Sequence, residues 1–150
     1  VSNTTQAAGP SLSIHRTFKA SRERVFAAFT DPTILIRWLG PDDVTMTGVA
    51  FDARVGGALR FVYNSPRMGE LVVNGTITAL RAPEHLAYTW AWEEDDAADV
   101  HESAVHIDFI ARGEETEVHF EHRNLKSVES RDNHEEGWSS ALDKLGELFA

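Results

Sequence analysis

The sequence has no cysteine. That absence removes disulfides, thiolate nucleophiles and cysteine-based zinc sites together, and makes a reducing compartment the default expectation. No stretch nears the roughly 20 apolar residues that a membrane-spanning helix needs, and the first residues show no basic-then-apolar leader. A cytoplasmic protein without membrane insertion is therefore expected, secretion staying open if a leader had been removed. Basic residues are also scarce, 14 Lys and Arg against 24 Asp and Glu, for a net charge of −10. The deficit deepens along the chain, from +1 over residues 1–50 to −4 over 51–100 and −7 over 101–150. Nucleic-acid binding needs clustered basic side chains to displace phosphate counterions, so no nucleic-acid partner is expected. The acidic balance otherwise means solubility and names no partner. No Gly-x-Ser-x-Gly elbow, phosphate-cradling loop or dinucleotide fingerprint occurs, and no cofactor is expected.

What is present is a change of hydrophobic period along a chain sized for one domain. Residues 1–10 are small and polar and read as a disordered lead-in to a single domain over 11–150. Leu12, Ile14 and Phe18 alternate, predicting a strand over Ser11–Lys19. Ser21 then caps a helical stripe of Val25, Phe26 and Phe29. Thr30 or Asp31 caps a second short helix that opens on Pro32, continues through Ile34, Leu35 and Trp38, and ends at Gly40-Pro41. From Val44 the period switches to two. Strands are predicted over Met46–Phe51, Ala58–Tyr63, Glu70–Leu80, Leu86–Trp92, Ser103–Ala111 and Thr116–Arg123, separated by turn-forming segments. Short connections without intervening helices imply an antiparallel meander. A helical period returns with Trp138, Ala141, Leu142, Leu145, Leu148 and Phe149, predicting a helix from about Asp132 to the end.

Parity fixes two registers. Ala111 opposite Thr116 puts Phe109 against Val118 and Ile107 against Phe120 on one face. Asp108 then lies against His119, and His106 against Glu121, on the other; a one-residue slip would mix apolar with polar throughout. Ile77 opposite Tyr88 puts Gly75 across from Trp90 and Val73 across from Trp92. The inner face then collects Phe61, Tyr63, Tyr88, Trp90, Phe109 and Phe120, facing Trp138 and Leu142 on the closing helix. A sheet this long must curl. The rings either fill the hollow or leave a cavity for a small molecule.

Several segments together resemble the SRPBCC (START-like) superfamily. They are Arg16-Thr-Phe-Lys-Ala-Ser, Val25-Phe26-Ala-Ala-Phe29-Thr-Asp31-Pro32, Trp38, and Phe51-Asp52-Ala-Arg54-Val-Gly56-Gly57. Gly75-Thr-Ile77, Leu86-Ala-Tyr88-Thr89-Trp90, Thr116-Glu-Val118 and Gly137-Trp138 with Leu142 and Leu145 continue the match, over about residues 12–149. The branch resembled is the one named after the activator of the ninety-kilodalton heat-shock chaperone's ATPase. The resemblance implies an α+β helix-grip fold, a curved antiparallel sheet of about seven strands around a long C-terminal helix. It also implies a cavity for lipids, sterols, polyketides or other apolar compounds, which some members convert by cyclisation, aromatisation or hydrolysis. The chaperone activators carry a further N-terminal domain for which 150 residues leave no room, so chaperone contact is not the favoured expectation.

His106, Asp108, His119 and Glu121 could hold a divalent metal, but a solvated ladder on a convex face explains them with less, and no metal is expected. His134-Glu135-Glu136 lacks His-Glu-x-x-His spacing and reads as an acidic helix start complementing the macrodipole. His122 shares the inner face with Val118 and Phe120, as a hydrogen-bonded core residue or a general base. Asp52 and Arg54 before Gly56-Gly57 read as a buried or half-buried ion pair beside a bulge, or as an arginine at the pocket mouth. Arg16 and Arg60 read as outer-face residues. The acidic segment 93–102 and Met68-Gly69 read as solvated connections or lids.

The favoured reading is a module binding a small apolar, aromatic or lipid-like ligand. Its expected lining is Trp38, Phe61, Tyr63, Tyr88, Trp90, Phe109, Phe120, His122, Trp138 and Leu142. The alternatives are an enzyme of the same fold using His122, Asp52 or Tyr88 as acid-base group, and a stress-associated interaction domain using an outer surface. A homodimer through an exposed strand edge stays open.

Overall fold

The computed structural model describes residues 9–41 and 43–150. The elements run β1 (Leu12–Phe18), α1 (Arg22–Thr30), α2 (Pro32–Trp38), β2 (Thr45–Phe51), β3 (Ala58–Ser65) and β4 (Gly69–Arg81). They continue as β5 (His85–Trp92), β6 (Ser103–Arg112), β7 (Glu115–Arg123) and α3 (Val128–Leu148). The strands form one antiparallel sheet in the order β1-β7-β6-β5-β4-β3-β2. β1 therefore crosses over to close on β7, with Leu12 opposite His122 and Phe18 opposite Thr116. The result is a helix-grip fold. No described helix is long and apolar enough to cross a membrane.

Local chemistry starts the helices where the sequence places them. The Ser21 hydroxyl accepts from the Arg24 amide at 3.3 Å, and the Asp31 carboxylate accepts from the Thr33 amide at 2.9 Å. Pro32 follows Asp31 at the first helical position, where its missing N–H costs nothing. α3 departs from expectation. It starts at Val128, capped by the Ser127 hydroxyl on the Ser130 amide at 3.1 Å, and not at Asp132. Its 21 residues span about 31 Å at 1.5 Å per residue.

Both parity-based registers hold. Phe109 faces Val118, Ile107 faces Phe120 and Asp108 faces His119. Ile77 faces Tyr88 and Val73 faces Trp92. Gly75 is required by a close approach. A Cβ there would lie 2.0 Å from the Thr89 carbonyl oxygen and 3.2 Å from Leu59 Cδ1. The bulge expected at Asp52–Gly57 lies elsewhere: register shifts fall between Met46 and Gly48 on β2 and between Ile77 and Ala79 on β4. Asp52–Gly57 is a turn, as the glycine pair implies, and it docks on β4, Gly56 N–H donating to the Ile77 carbonyl and Ile77 N–H to that of Gly57.

Of the lead-in, residues 1–8 lie outside the described residues. Gly9 and Pro10 are attached: the Gly9 amide donates to Asn124 Oδ1 at 2.8 Å and the Leu125 amide to the Pro10 carbonyl at 2.8 Å.

Candidate functional site

The inner-face rings sort into three groups. At one end, the Trp38 indole N–H donates to the Ala28 carbonyl at 2.9 Å and pins α2 against α1. Phe109 lies beneath them with its ring centroid 5.0 Å from Phe26 and 5.2 Å from Phe29. In the middle, Phe61 and Tyr88 meet edge-on at 6.4 Å, and Tyr63 stacks obliquely on Trp92 at 5.4 Å. Under the N-terminal half of α3, Trp138 sits 4.4 Å from Phe120 and 5.1 Å from Trp90, beside buried Leu142. These separations are ordinary aromatic packing distances. The middle of the concave face is filled.

Polar groups close the third group. Trp138 Nε1–H donates to His122 Nδ1 at 3.1 Å. An indole N–H can only donate, so Nδ1 is the acceptor and the His122 proton sits on Nε2. Nε2–H then donates to Ser103 Oγ at 2.7 Å, and Ser103 O–H donates to the Trp90 carbonyl at 3.1 Å. A second chain runs alongside. Trp92 Nε1–H donates to His134 Nε2 at 3.0 Å, and His134 Nδ1–H donates to the Ser130 carbonyl at 2.7 Å. The two imidazoles meet edge-on at 5.1 Å. Both are neutral by this inventory. Burial, and secondarily the neighbouring His134, lowers the His122 pKa to about 3; burial also lowers that of His134, against a smaller raising effect of its bond to Ser130.

Cavities open at the margins of this core. One, of about 310 Å³, lies beside α2 and β2 and is lined by Ile36, Arg37, Gly40, Val44, Thr45, Met46 and Lys144. Lys144 is engaged there, its Nζ donating to the Gly40 and Pro41 carbonyls at 2.6 and 3.2 Å. Another, of about 140 Å³, opens where β5, the 93–102 segment and the start of α3 converge. Its walls are Trp90, Trp92, Ser103, Leu125, Ser130 and His134, with Glu94, Asp99, His101 and Lys126 completing the lining.

Of the ten expected lining residues, Trp90 alone borders the 140 Å³ cavity. His122 and Trp138 stand directly behind it, through Ser103 and the Trp90 ring. Trp38, Phe61, Tyr63, Tyr88, Phe109, Phe120 and Leu142 are buried packing residues away from its walls. Tyr88 stays a phenol, since burial pushes its pKa up. Asp52 is not brought to this group. It pairs with Arg54 at 2.8 Å, the side chains 50% and 74% exposed, which corrects the expectation of a buried pair. Arg60 is exposed near Glu93, as expected, but Arg16 turns inward and pairs with Asp143 of α3 at 2.5 Å.

The convex-face ladder keeps its register but not its pairs. Asp108 binds His85 at 2.7 Å and not His119, which instead binds Glu117 at 3.1 Å and stacks on His15 at 4.1 Å. Among the described residues, no group of three or more His, Asp or Glu side chains is arranged to hold a metal ion.

Sequence reasoning missed Trp92 as a site wall, and with it His101, Ser103, Leu125, Lys126, Ser130 and His134. For His134 a signal existed. It lies four residues before Trp138 and eight before Leu142, one helical stripe. Reading α3 from Asp132 made His134 a solvated start instead of a second-turn residue.

Solved structures share this architecture. The AHSA1 protein of Silicibacter pomeroyi is 29% identical with a TM-score of 0.83, covering 92% of this chain and 96% of that one. A protein of Chromobacterium violaceum is 26% identical with a TM-score of 0.84, covering 93% and 96%. One of Mycobacterium smegmatis, 23% identical with a TM-score of 0.79 and covering 93% and 90%, shares the fold. No curated protein matches the sequence. The family described as "Activator of Hsp90 ATPase homolog 1-like protein" matches residues 19–150, and with most of the chain covered in the same fold, the protein belongs to that family.

Proposed function

We propose that the protein is a binding module for a small, mainly apolar ring compound, taken up at the open end of the grip between β5 and α3. The observation that carries this reading is the cavity of about 140 Å³ walled by Trp90, Trp92, Leu125 and His134. Its size selects the ligand. Drug-sized molecules occupy roughly 300–1,000 Å³, whereas an apolar cavity of about 150 Å³ suffices for benzene. A sterol or long acyl chain would have to displace the rings that fill the sheet's centre, so one ring is the size that fits. The walls are preformed, because Trp92 and His134 are fixed to each other and Trp90 is wedged among Phe61, Trp92 and Trp138. A preformed site binds without the cost of ordering its side chains.

Turnover is not part of the proposal. Both nitrogens of His122 are engaged, Tyr88 is held as a phenol, and Asp52 sits on an exposed turn. The test is titration of ¹⁵N-labelled protein with ethylbenzene, with native mass spectrometry of protein drawn gently from its own host. Saturable submillimolar shifts at residues of this cavity, or a small co-purifying mass, are expected. No shift up to the solubility limit and no bound mass would overturn the reading.

A further inference from the structure

The cavity of about 140 Å³ has apolar walls and a charged mouth. Of its two tryptophans, Trp90 offers a ligand little. Its Nε1 is buried without a partner among the described residues, and its ring is enclosed by Phe61, Trp92, His122, His134 and Trp138. Trp92 is half-buried, and its N–H is spent on His134. What Trp92 gives the cavity is therefore aromatic surface without a donor, and indole is the ring that attracts a cation most strongly. The mouth adds negative charge. Glu94, Asp99 and Lys126 line it, all exposed. Neither Glu94 nor Asp99 has an ion-pair partner among the described residues. Both belong to the segment 93–102, which carries six acids and no Lys or Arg. His101, also in the lining, donates from Nε2 to the Asn124 carbonyl at 2.7 Å, which leaves an acceptor at Nδ1 of the neutral ring.

We propose that the ring compound taken up here carries a protonated amine, its ring among Trp92, Leu125 and His134 and its ammonium toward Glu94 and Asp99. This rests on the binding reading above and adds the ligand's charge. Volume places the two parts. A cavity of about 150 Å³ is filled by benzene alone, so a substituent on the ring projects at the mouth, where the acids stand. The charges there select its sign. Lys126 contributes one positive charge and Glu94 and Asp99 two negative ones, which leaves the rim negative on a chain of net charge −10. That field acts across water and needs no direct contact: it draws a cation in and repels an anion. The Trp92 ring adds attraction for the same sign. Both effects favour an ammonium over an uncharged group of the same shape, and disfavour a carboxylate.

Benzylamine, ethylbenzene and benzoate separate the outcomes, the first two having the same shape and differing in charge. Each is titrated at neutral pH into the ¹⁵N-labelled protein, into the double variant Glu94→Gln with Asp99→Asn, and into Lys126→Gln. All three positions are exposed and outside the packed core. Benzylamine is expected to bind more tightly than benzoate and to move the indole N–H signal of Trp92. The double variant should weaken benzylamine about two- to tenfold, the range of exposed ion pairs, and change ethylbenzene by less than about twofold. Lys126→Gln should tighten benzylamine, and raising the salt from about 0.02 to about 0.3 M should weaken it by screening. Tighter binding of benzoate, or a benzylamine affinity untouched by the double variant and by salt, would overturn the amine assignment while ethylbenzene binding leaves the ring reading standing. Benzylamine shifts confined to the amides of 93–99, with the Trp92 N–H unmoved, would mean an adventitious counterion and overturn it too. Failure of all three to bind would take down the binding reading itself.

Discussion

At the scale of the residue, the buried end of the grip is a balance of donors and acceptors. Each imidazole presents one acceptor and one donor, and each is met: His122 by Trp138 and Ser103, His134 by Trp92 and Ser130. Removing one partner of such a pair strands the other. Trp138→Phe and Trp90→Phe delete the same atoms from rings of similar burial, 5% and 3% exposed. Only the first leaves a protein acceptor unsatisfied. Trp138→Phe should therefore be the more destabilising by about 1–3 kcal/mol, the cost of a stranded buried polar group. Urea denaturation of the two variants measures the difference, and equal losses would mean that the Trp138–His122 bond contributes nothing net.

At the scale of the element, β4 and β5 are held close by what Gly75 lacks. A Cβ there would fall 2.0 Å from the Thr89 carbonyl oxygen on β5, and neither main chain can yield without disturbing the neighbouring pairing. Thr89 is doubly placed, its hydroxyl also accepting from the Thr76 amide at 2.9 Å. Gly75→Ala should cost at least about 1–3 kcal/mol, the usual range for forced overpacking. The disturbance should reach the site, because Trp90 follows Thr89 directly. Its expected signatures are a lowered Tm and a changed tryptophan emission spectrum; a fully stable variant with native emission would contradict the close approach. The sequence already placed Gly75 opposite Trp90 by register. The close contact lies instead with Thr89, a backbone approach that alternation does not reveal.

At the scale of the whole molecule, the two neutral histidines tie folding to pH. Burial lowers the pKa of both, that of His122 to about 3, from an ordinary value of 6.5. Below pH 6.5 the unfolded chain therefore takes up protons that the folded one refuses. The stabilising contribution is fully present above about pH 6.5 and is lost progressively as pH falls toward the folded values. Protonation would also remove the acceptors that Trp138 and Trp92 use. From pH 7.5 to 5.0 the stability should fall by about 2 kcal/mol through His122, at 1.36 kcal/mol per unit of pH below 6.5, and His134 acts in the same direction. His122→Asn should flatten part of that slope, with denaturation midpoints at the two pH values as the measurement. A slope unchanged by the substitution would place the titration elsewhere.

The sequence by itself determined the order of elements, the antiparallel meander, the caps of the first two helices and the inward parity of the strands. Each depends on neighbours within one or two turns or one hairpin. His122 was legible as an inner-face residue for that reason, its parity following from Val118 and Phe120. Only the tertiary structure decided that the rings fill the centre of the grip and leave space at its end. Ring separations depend on how far the sheet curls and how deep α3 sits, and those are set jointly by residues distant along the chain. The same holds for the hydrogen-bond inventory. His134 and Trp92 lie 42 positions apart, and the unmatched N–H of Trp90 emerges only when every nearby acceptor has been assigned.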